Sequence, residues 1–125
     1  MAASPINPPD PEKADFAMST HDVLHRLSET LASRRNADPE TSYTAKLFSK
    51  GPDSILKKIG EESAELIMAA KDGQRLNIVR ESTDLIYHIM VLLAFYDMGI
   101  EDVSQEMRRR EGISGIEGKK SRTAK

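Results

Sequence analysis

Five acidic residues fall into two short groups whose spacing suits the binding of a metal ion. Glu61, Glu62 and Glu65 form the first group, and Glu81 and Asp84 form the second, with fifteen residues between the groups. Each residue of an α-helix advances by about 100°, so each group occupies one face of its helix. The pattern therefore predicts two helices that each present carboxylates on one side.

A turn at Gly73 is expected to bring the two acidic groups together. It lies eight residues after Glu65 and eight residues before Glu81, so an antiparallel helix pair places both groups at nearly equal height. Carboxylates that face one groove repel each other and raise one another's pKa unless a cation lies among them. The sequence therefore predicts a divalent metal site in this groove.

The available ligand types narrow both the metal and the substrate. The chain has no cysteine, and oxygen ligands favour Mg²⁺ or Mn²⁺ over zinc. Mg²⁺ commonly completes its shell with substrate phosphates, which indicates a nucleoside polyphosphate or a similar phosphorylated compound as substrate. Lys57 and Lys58, one turn before the acids, are candidates for binding the phosphates that the metal does not reach.

The alternative is that these acids lie on a solvated surface, as acidic clusters on helices usually do. For the first group this alternative stays open, because its face lies opposite the apolar stripe of Ile59 and Leu66. The face of Glu81 and Asp84 instead continues through His88 into an apolar stretch, where unpaired carboxylates are costly. The second group therefore favours a functional site over a surface patch.

Tyr43 and His88 are candidate substrate-binding residues. His88 follows Asp84 by one helical turn, so we expect it to hydrogen-bond beside the site rather than to bind the metal directly. Tyr43 could stack on a base or simply pack against the protein, and packing is the commoner role of such a residue.

Helical periodicity and capping residues predict the elements that position these side chains. The predicted helices run from a Ser19 or Thr20 cap to about Arg34, from Tyr43 to Lys50 after a Ser42 cap, from Asp53 to Asp72, from about Gln74 to Met98, and from Glu101 to Arg110. No alternating strand pattern is present, and the connections are short. We therefore expect an all-α fold, an antiparallel bundle of four to five helices.

The fourth helix is apolar around most of its circumference beyond Leu85. Such a helix needs more cover than the short helices of one chain supply, so the pattern predicts a homodimer or a larger homo-oligomer that completes the bundle.

Composition sets the remaining limits. A chain of 125 residues with a net charge of −2 suits one globular domain and lacks the basicity of a general nucleic-acid binder. Its longest apolar run, residues 85–96, is interrupted only by His88 and is well short of the roughly 20 residues that span a bilayer. No targeting segment is visible, so we expect a cytoplasmic protein without a membrane partner. We expect a disordered, Pro-rich leader at 1–18, one domain at 19–112 and a basic tail at 113–125.

The acidic motifs resemble those of a known superfamily, the all-α nucleotide pyrophosphohydrolases of the MazG type. Their signature, Glu-x-x-Glu, a spacer and Glu-x-x-Asp, is matched by residues 62–65 and 81–84. The wider strings 42–48, 55–62, 84–88 and 109–115 are similar to the phosphoribosyl-ATP pyrophosphohydrolase branch, over roughly Leu24 to Arg122.

The resemblance implies the hydrolysis of phosphoribosyl-ATP to phosphoribosyl-AMP and pyrophosphate, the second step of histidine biosynthesis. It also implies a Mg²⁺-dependent, cytoplasmic homodimer or larger oligomer, with a separate phosphoribosyl-AMP cyclohydrolase acting next. In the mechanism that we expect, the five acids form the metal site, and Glu62 takes a proton from the attacking water. Lys57 and Lys58 then hold phosphates, and the segment 42–50 closes over the phosphoribosyl or adenine end.

Two other functions are compatible with the same residues. A house-cleaning pyrophosphatase that acts on free nucleotides, deoxynucleotides among them, would use the same acids. A non-enzymatic helical dimerisation module would share the small size, the apolar helix and the dimeric state, but it would cleave no nucleotide.

Overall fold

The centre of the fold is an antiparallel pair of long helices. The computed structural model describes residues 19–113, in which α3 (Pro52–Asp72) and α4 (Arg75–Phe95) make the most extensive helix–helix contact. The turn between them depends on Gly73, whose φ of 68° lies in the left-handed region that side chains with a Cβ disfavour. The backbone N–H of Gly73 closes α3 by donating to the carbonyls of Ala69 and Ala70. The predicted turn at Gly73 is thereby confirmed.

Two shorter helices cover one half of this pair. In α1 (Thr20–Arg34) the Ser19 side chain caps the first turn, and in α2 (Tyr43–Lys50) the Ser42 side chain does the same. α1 packs on α4, and α2 packs on α3. The buried core lies between the four helices: Leu31, Leu47, Phe48, Ile55, Met90, Val91 and Ala94.

The position of the core determines where the acids lie. Ile55, the core residue of α3, lies near the start of that helix, and the core residues of α4 lie near the end of α4. α1 and α2 therefore cover the half of the helix pair that is remote from Gly73. The acidic groups occupy the middle of the pair, where this cover stops.

The end of α4 differs from the prediction. The helix stops at Phe95, three residues before Met98, because Asp97 adopts a left-handed backbone with φ of 62°. The Asp97 carboxylate accepts a hydrogen bond from the Arg35 guanidinium at 2.9 Å, which ties this turn to the end of α1. The last helix, α5 (Ile100–Arg110), then packs against α1 and begins one residue before the predicted Glu101.

The described part of the chain is all-α, as predicted, with five helices and no strand between residues 19 and 113. The expected leader at 1–18 lies outside the described residues, as does all but the first residue of the expected tail. Within that range no single helix is long and apolar enough to cross a membrane. α4 and α5 reach the length and composition of a membrane-spanning segment only when they are taken together, and the pair is bent by 106°.

Candidate metal and catalytic site

Three of the five predicted acids converge across the two long helices. Glu62 of α3 and Glu81 and Asp84 of α4 each offer a carboxylate oxygen, and these oxygens all lie within 4.8 Å of one another. The antiparallel register about Gly73 produces this grouping, because it sets the middle of α3 against the first half of α4. A single cation could contact all three carboxylates.

The burial of this trio leaves two of its carboxylate oxygens without a hydrogen-bond partner in the described part of the chain. Glu62 is only 9% exposed, and the Oε2 atoms of Glu62 and Glu81 are buried without a hydrogen-bond partner in residues 19–113. A buried carboxylate oxygen without a partner costs several kcal/mol in general, and acids packed together add repulsion. A divalent cation among the oxygens removes both costs, and an all-oxygen donor set suits Mg²⁺ or Mn²⁺.

Glu65 is the fourth acid that lies against the trio. Its hydrogen bond with Glu81, followed by burial and by the charges of the other acids, raises the pKa of Glu81 to about 7. Burial, followed by the hydrogen bond with Glu65, raises the pKa of Glu62, while His88 opposes the shift. Without a cation the cluster therefore retains protons that isolated carboxyls would lose well below neutral pH.

This retention of protons makes the stability of the metal-free protein depend on pH. The pKa of Glu81 is higher in the folded state than its ordinary value of 4.5, so its stabilising contribution is complete below that value and is lost as the pH rises towards 7. With EDTA present, we expect the melting temperature to fall across this window, and we expect Mg²⁺ to reduce the fall. Thermal melts of the wild type and of Glu81→Gln, at several pH values, measure the effect. Identical pH profiles for the two proteins would contradict the raised pKa of Glu81.

His88 lies directly beside the acids, in the role that its spacing predicts. It is 6% exposed, and its Nδ1 donates to the backbone carbonyl of Asp84 at 2.7 Å. Nε2, the other ring nitrogen, is hydrogen-bonded to the hydroxyl of Tyr43 at 3.3 Å. Both ring nitrogens are therefore engaged by the protein, which leaves neither nitrogen open to a metal ion.

The start of α2 is attached to α4 next to the acidic trio. The hydroxyls of Thr44 and Tyr87 are hydrogen-bonded to each other. Thr44 is next to Tyr43 in α2 and Tyr87 is next to His88 in α4, so this contact adjoins the one between Tyr43 and His88. Tyr43 itself is 53% exposed, so much of its ring is available to a ligand. These contacts place the predicted substrate-binding residue Tyr43 at the edge of the groove.

Three predicted site residues lie outside the converging trio: Lys57, Lys58 and Glu61. Lys58 Nζ approaches Glu61 Oε1 at 3.7 Å, and both side chains are partly solvent-accessible, so this ion pair contributes little stability. Glu61 is outside the trio of converging carboxylates. Lys57 is exposed and forms no salt bridge within the described residues. Its ammonium group is therefore available to an anionic ligand.

Comparisons with known proteins point to one family. The sequence model of the family described as phosphoribosyl-ATP pyrophosphohydrolase matches residues 24–111. A protein of Dechloromonas aromatica (strain RCB), named phosphoribosyl-ATP pyrophosphatase, is 83% identical over 108 residues, which cover 86% of this chain and 100% of that protein. Proteins of the same name are 56% identical in Azoarcus sp. (strain BH72), over 81% of this chain and 94% of the relative, and 52% identical in Nitrosospira multiformis, over 86% and 88%.

Proposed function

The chain belongs to the phosphoribosyl-ATP pyrophosphohydrolase family, and we propose that the acidic groove between α3 and α4 is where it cleaves its substrate. The activity is that of the family: it hydrolyses phosphoribosyl-ATP to phosphoribosyl-AMP and pyrophosphate in histidine biosynthesis. The observation that supports the placement is the pair of buried Oε2 atoms, on Glu62 and Glu81, that no described group satisfies.

The residues that would hold the cation are Glu62, Glu65, Glu81 and Asp84. Glu61 precedes Glu65 by one helical turn on the same side of α3, so it joins the site at its outer edge. We propose Mg²⁺ as the natural ion, with Mn²⁺ as a substitute, because the donors are all carboxylate oxygens. When bound, the ion makes water more acidic and offsets negative charge on the phosphates.

In the reaction a water oxygen bonds to a phosphorus of the triphosphate, and the anhydride bond to the departing pyrophosphate breaks. Glu62 accepts a proton from the attacking water, because it is the most buried of the acids and has an oxygen without a partner. Lys57 and Lys58 bind phosphate oxygens at the rim and partly neutralise the leaving pyrophosphate.

Tyr43 and His88 act at the opposite edge of the groove. Tyr43 contacts the substrate with its exposed ring, and His88 contributes through the hydrogen bond that orients the Tyr43 hydroxyl. The segment 42–50, which includes α2, then lies against the phosphoribosyl or adenine end. The acids and lysines would thereby hold the reacting phosphates on one side of Tyr43, and the rest of the substrate would lie on the other.

Substrate choice separates this function from that of a house-cleaning pyrophosphatase. We expect kcat/KM for phosphoribosyl-ATP to exceed the values for dCTP and dUTP by at least about a hundredfold. Such a ratio corresponds to roughly 3 kcal/mol of binding that the free nucleotides cannot make. Pyrophosphate release from each compound with Mg²⁺ present measures the ratio. Equal turnover of all three would contradict the assignment, and cleavage of none would favour a non-enzymatic helical module.

We also propose that two chains pair through the outer faces of α3 and α4. Large apolar side chains on these faces are about half exposed or more: Leu56, Ile67, Leu76, Val79 and Ile86. Apolar positions repeat along one side of each helix, so the two pairs of helices can combine into a four-helix bundle. The resulting homodimer, or a larger assembly built on it, is proposed to be cytoplasmic. A separate phosphoribosyl-AMP cyclohydrolase would consume the product.

Charge placed on this face is expected to separate the two chains. Val79→Lys, at a position that is 62% exposed, removes apolar contact area and sets two lysines near the axis of the pair. We expect sedimentation equilibrium to show the wild type as a dimer or larger and the variant as a monomer at the same concentration. Met107→Glu on α5, 65% exposed, is the control and should keep the wild-type mass. A wild-type protein that is monomeric throughout would contradict the proposal.

A further inference from the structure

A polar cavity lies beside the hydrogen bond that joins Thr44 to Tyr87. It has a volume of about 300 Å³ and opens between the last turns of α1 and the start of α2, with α4 behind it. Its polar lining consists of Thr30, Arg34, Thr41, Ser42, Thr44 and Tyr87. No aspartate or glutamate is among the lining residues.

Arg34 is the cation of this cavity, and it has no ion pair in the described part of the chain. Its neighbour Arg35 differs, since that guanidinium binds Asp97 at 2.9 Å. A guanidinium that lines a cavity without acids is suited to an anion, and its planar N–H groups match phosphate oxygens in particular.

The cavity also contains a hydroxyl group that can donate a hydrogen bond to a ligand. The Ser42 hydroxyl accepts from the backbone N–H of Ala45, so its own hydrogen remains available. Thr41 and Thr44 are engaged with the Asp38 carbonyl and with Tyr87, respectively. Ser42 therefore provides a hydroxyl donor in the same cavity as the Arg34 guanidinium.

The wall of the cavity reaches α4 close to the proposed site. Tyr87, in the cavity wall, follows Asp84 by three residues, which amounts to about 4.5 Å of helix rise and about 60° of rotation. A substrate that places its triphosphate at the acids can therefore extend past Tyr43 towards Arg34. Phosphoribosyl-ATP is such a substrate, because its phosphoribosyl group has a second phosphate, a monoester, at the end of the molecule remote from the triphosphate.

From these observations we propose that this cavity binds the phosphate monoester of the phosphoribosyl group, with Arg34 as its charged contact. The inference rests on the proposed function, since only the phosphoribosyl compound has this second phosphate. It also gives a physical basis for substrate choice, because a free nucleoside triphosphate leaves the Arg34 guanidinium without an anion.

Steady-state kinetics of Arg34→Gln with phosphoribosyl-ATP test the proposal. We expect KM to rise about 10- to 100-fold, the usual effect of losing a hydrogen-bonded charge, while kcat stays within about threefold. The inhibition constant of phosphoribosyl-AMP, which retains this phosphate but lacks the pyrophosphate, should rise by a similar factor. Arg34→Lys should fall between the wild type and Arg34→Gln, because it keeps the charge and loses the planar donors.

Arg35→Gln is the matched control, since it removes an arginine from the adjacent position and leaves this cavity unchanged. We expect its KM to stay within about twofold of the wild-type value, well below the tenfold change that a lost charged contact produces. An unchanged KM in Arg34→Gln, or an equal rise in both variants, would overturn the inference, whereas a wild type that fails to cleave phosphoribosyl-ATP would overturn the proposed function instead. Equal melting temperatures for the three proteins would show that the effect is not one of folding.

Discussion

Replacing Glu81 by glutamine or Asp84 by asparagine should lower kcat for phosphoribosyl-ATP by at least about a hundredfold. Changes to groups that only support metal ligands already cost 10- to 100-fold in affinity or activity, and these two carboxylates belong to the converging trio itself. Glu62→Gln should lose on the order of 10²- to 10⁴-fold, because it removes the proposed proton acceptor as well. Initial rates of pyrophosphate release at saturating substrate measure these losses.

The matched control is Asp72→Asn, an acid-to-amide change at the exposed end of α3. It should keep wild-type turnover and wild-type affinity for Mn²⁺, measured by electron paramagnetic resonance. The three site variants should bind Mn²⁺ more weakly. If Glu81→Gln and Asp84→Asn both retained normal turnover and normal metal affinity, the proposed metal site would be wrong.

Stability should change in the opposite direction from activity at this site. In the metal-free protein at neutral pH, Glu81→Gln removes a carboxyl whose pKa is raised to about 7, so it relieves repulsion among the acids. We therefore expect a variant that is less active but melts at a higher temperature with EDTA present. A purely structural role for Glu81 would lower both quantities together.

Leu31→Ala should have the largest effect on stability, about 2–5 kcal/mol. Leu31 is 1% exposed and lies in the core where α1 packs onto the central helix pair. The shortened side chain leaves a cavity and weakens the attachment of the helix that carries Arg34. Urea unfolding, monitored by circular dichroism at one fixed protein concentration, measures the loss.

Val23→Ala is the control on the same helix. Val23 is 45% exposed, so this truncation should cost only about 0.5 kcal/mol. A loss for Leu31→Ala that is no larger than that of Val23→Ala would contradict the description of α1 as an integral part of the core.

The sequence predicts those parts of the fold that depend on local interactions. Ser19, Ser42 and Gly73 mark helix ends through contacts within a few residues of themselves, and the structure has each of them at the predicted position. The end of α4 lies three residues before the predicted one, at a turn where Asp97 has a left-handed backbone and pairs with Arg35, 62 residues away in the chain. Sequence periodicity contains no information about that pairing.

The same distinction applies to the candidate site. One turn at Gly73 fixes the register of α3 and α4, so the convergence of Glu62, Glu81 and Asp84 could be predicted from spacing alone. Glu61 follows Lys58 by three residues, so helical spacing also allows their ion pair, although the acidic pattern predicts that Glu61 faces the groove. Arg34 could not be predicted, since its cavity exists only after α1 has packed beside the start of α2.

The acidic groove is proposed to cleave phosphoribosyl-ATP with the help of a divalent cation. The most direct test is the release of pyrophosphate from phosphoribosyl-ATP by the wild-type chain, with Mg²⁺ present and with EDTA in its place. We predict one pyrophosphate and one phosphoribosyl-AMP per substrate with Mg²⁺, and a rate reduced by at least about a hundredfold with EDTA. Equal rates under the two conditions, or no pyrophosphate with Mg²⁺, would contradict the claim.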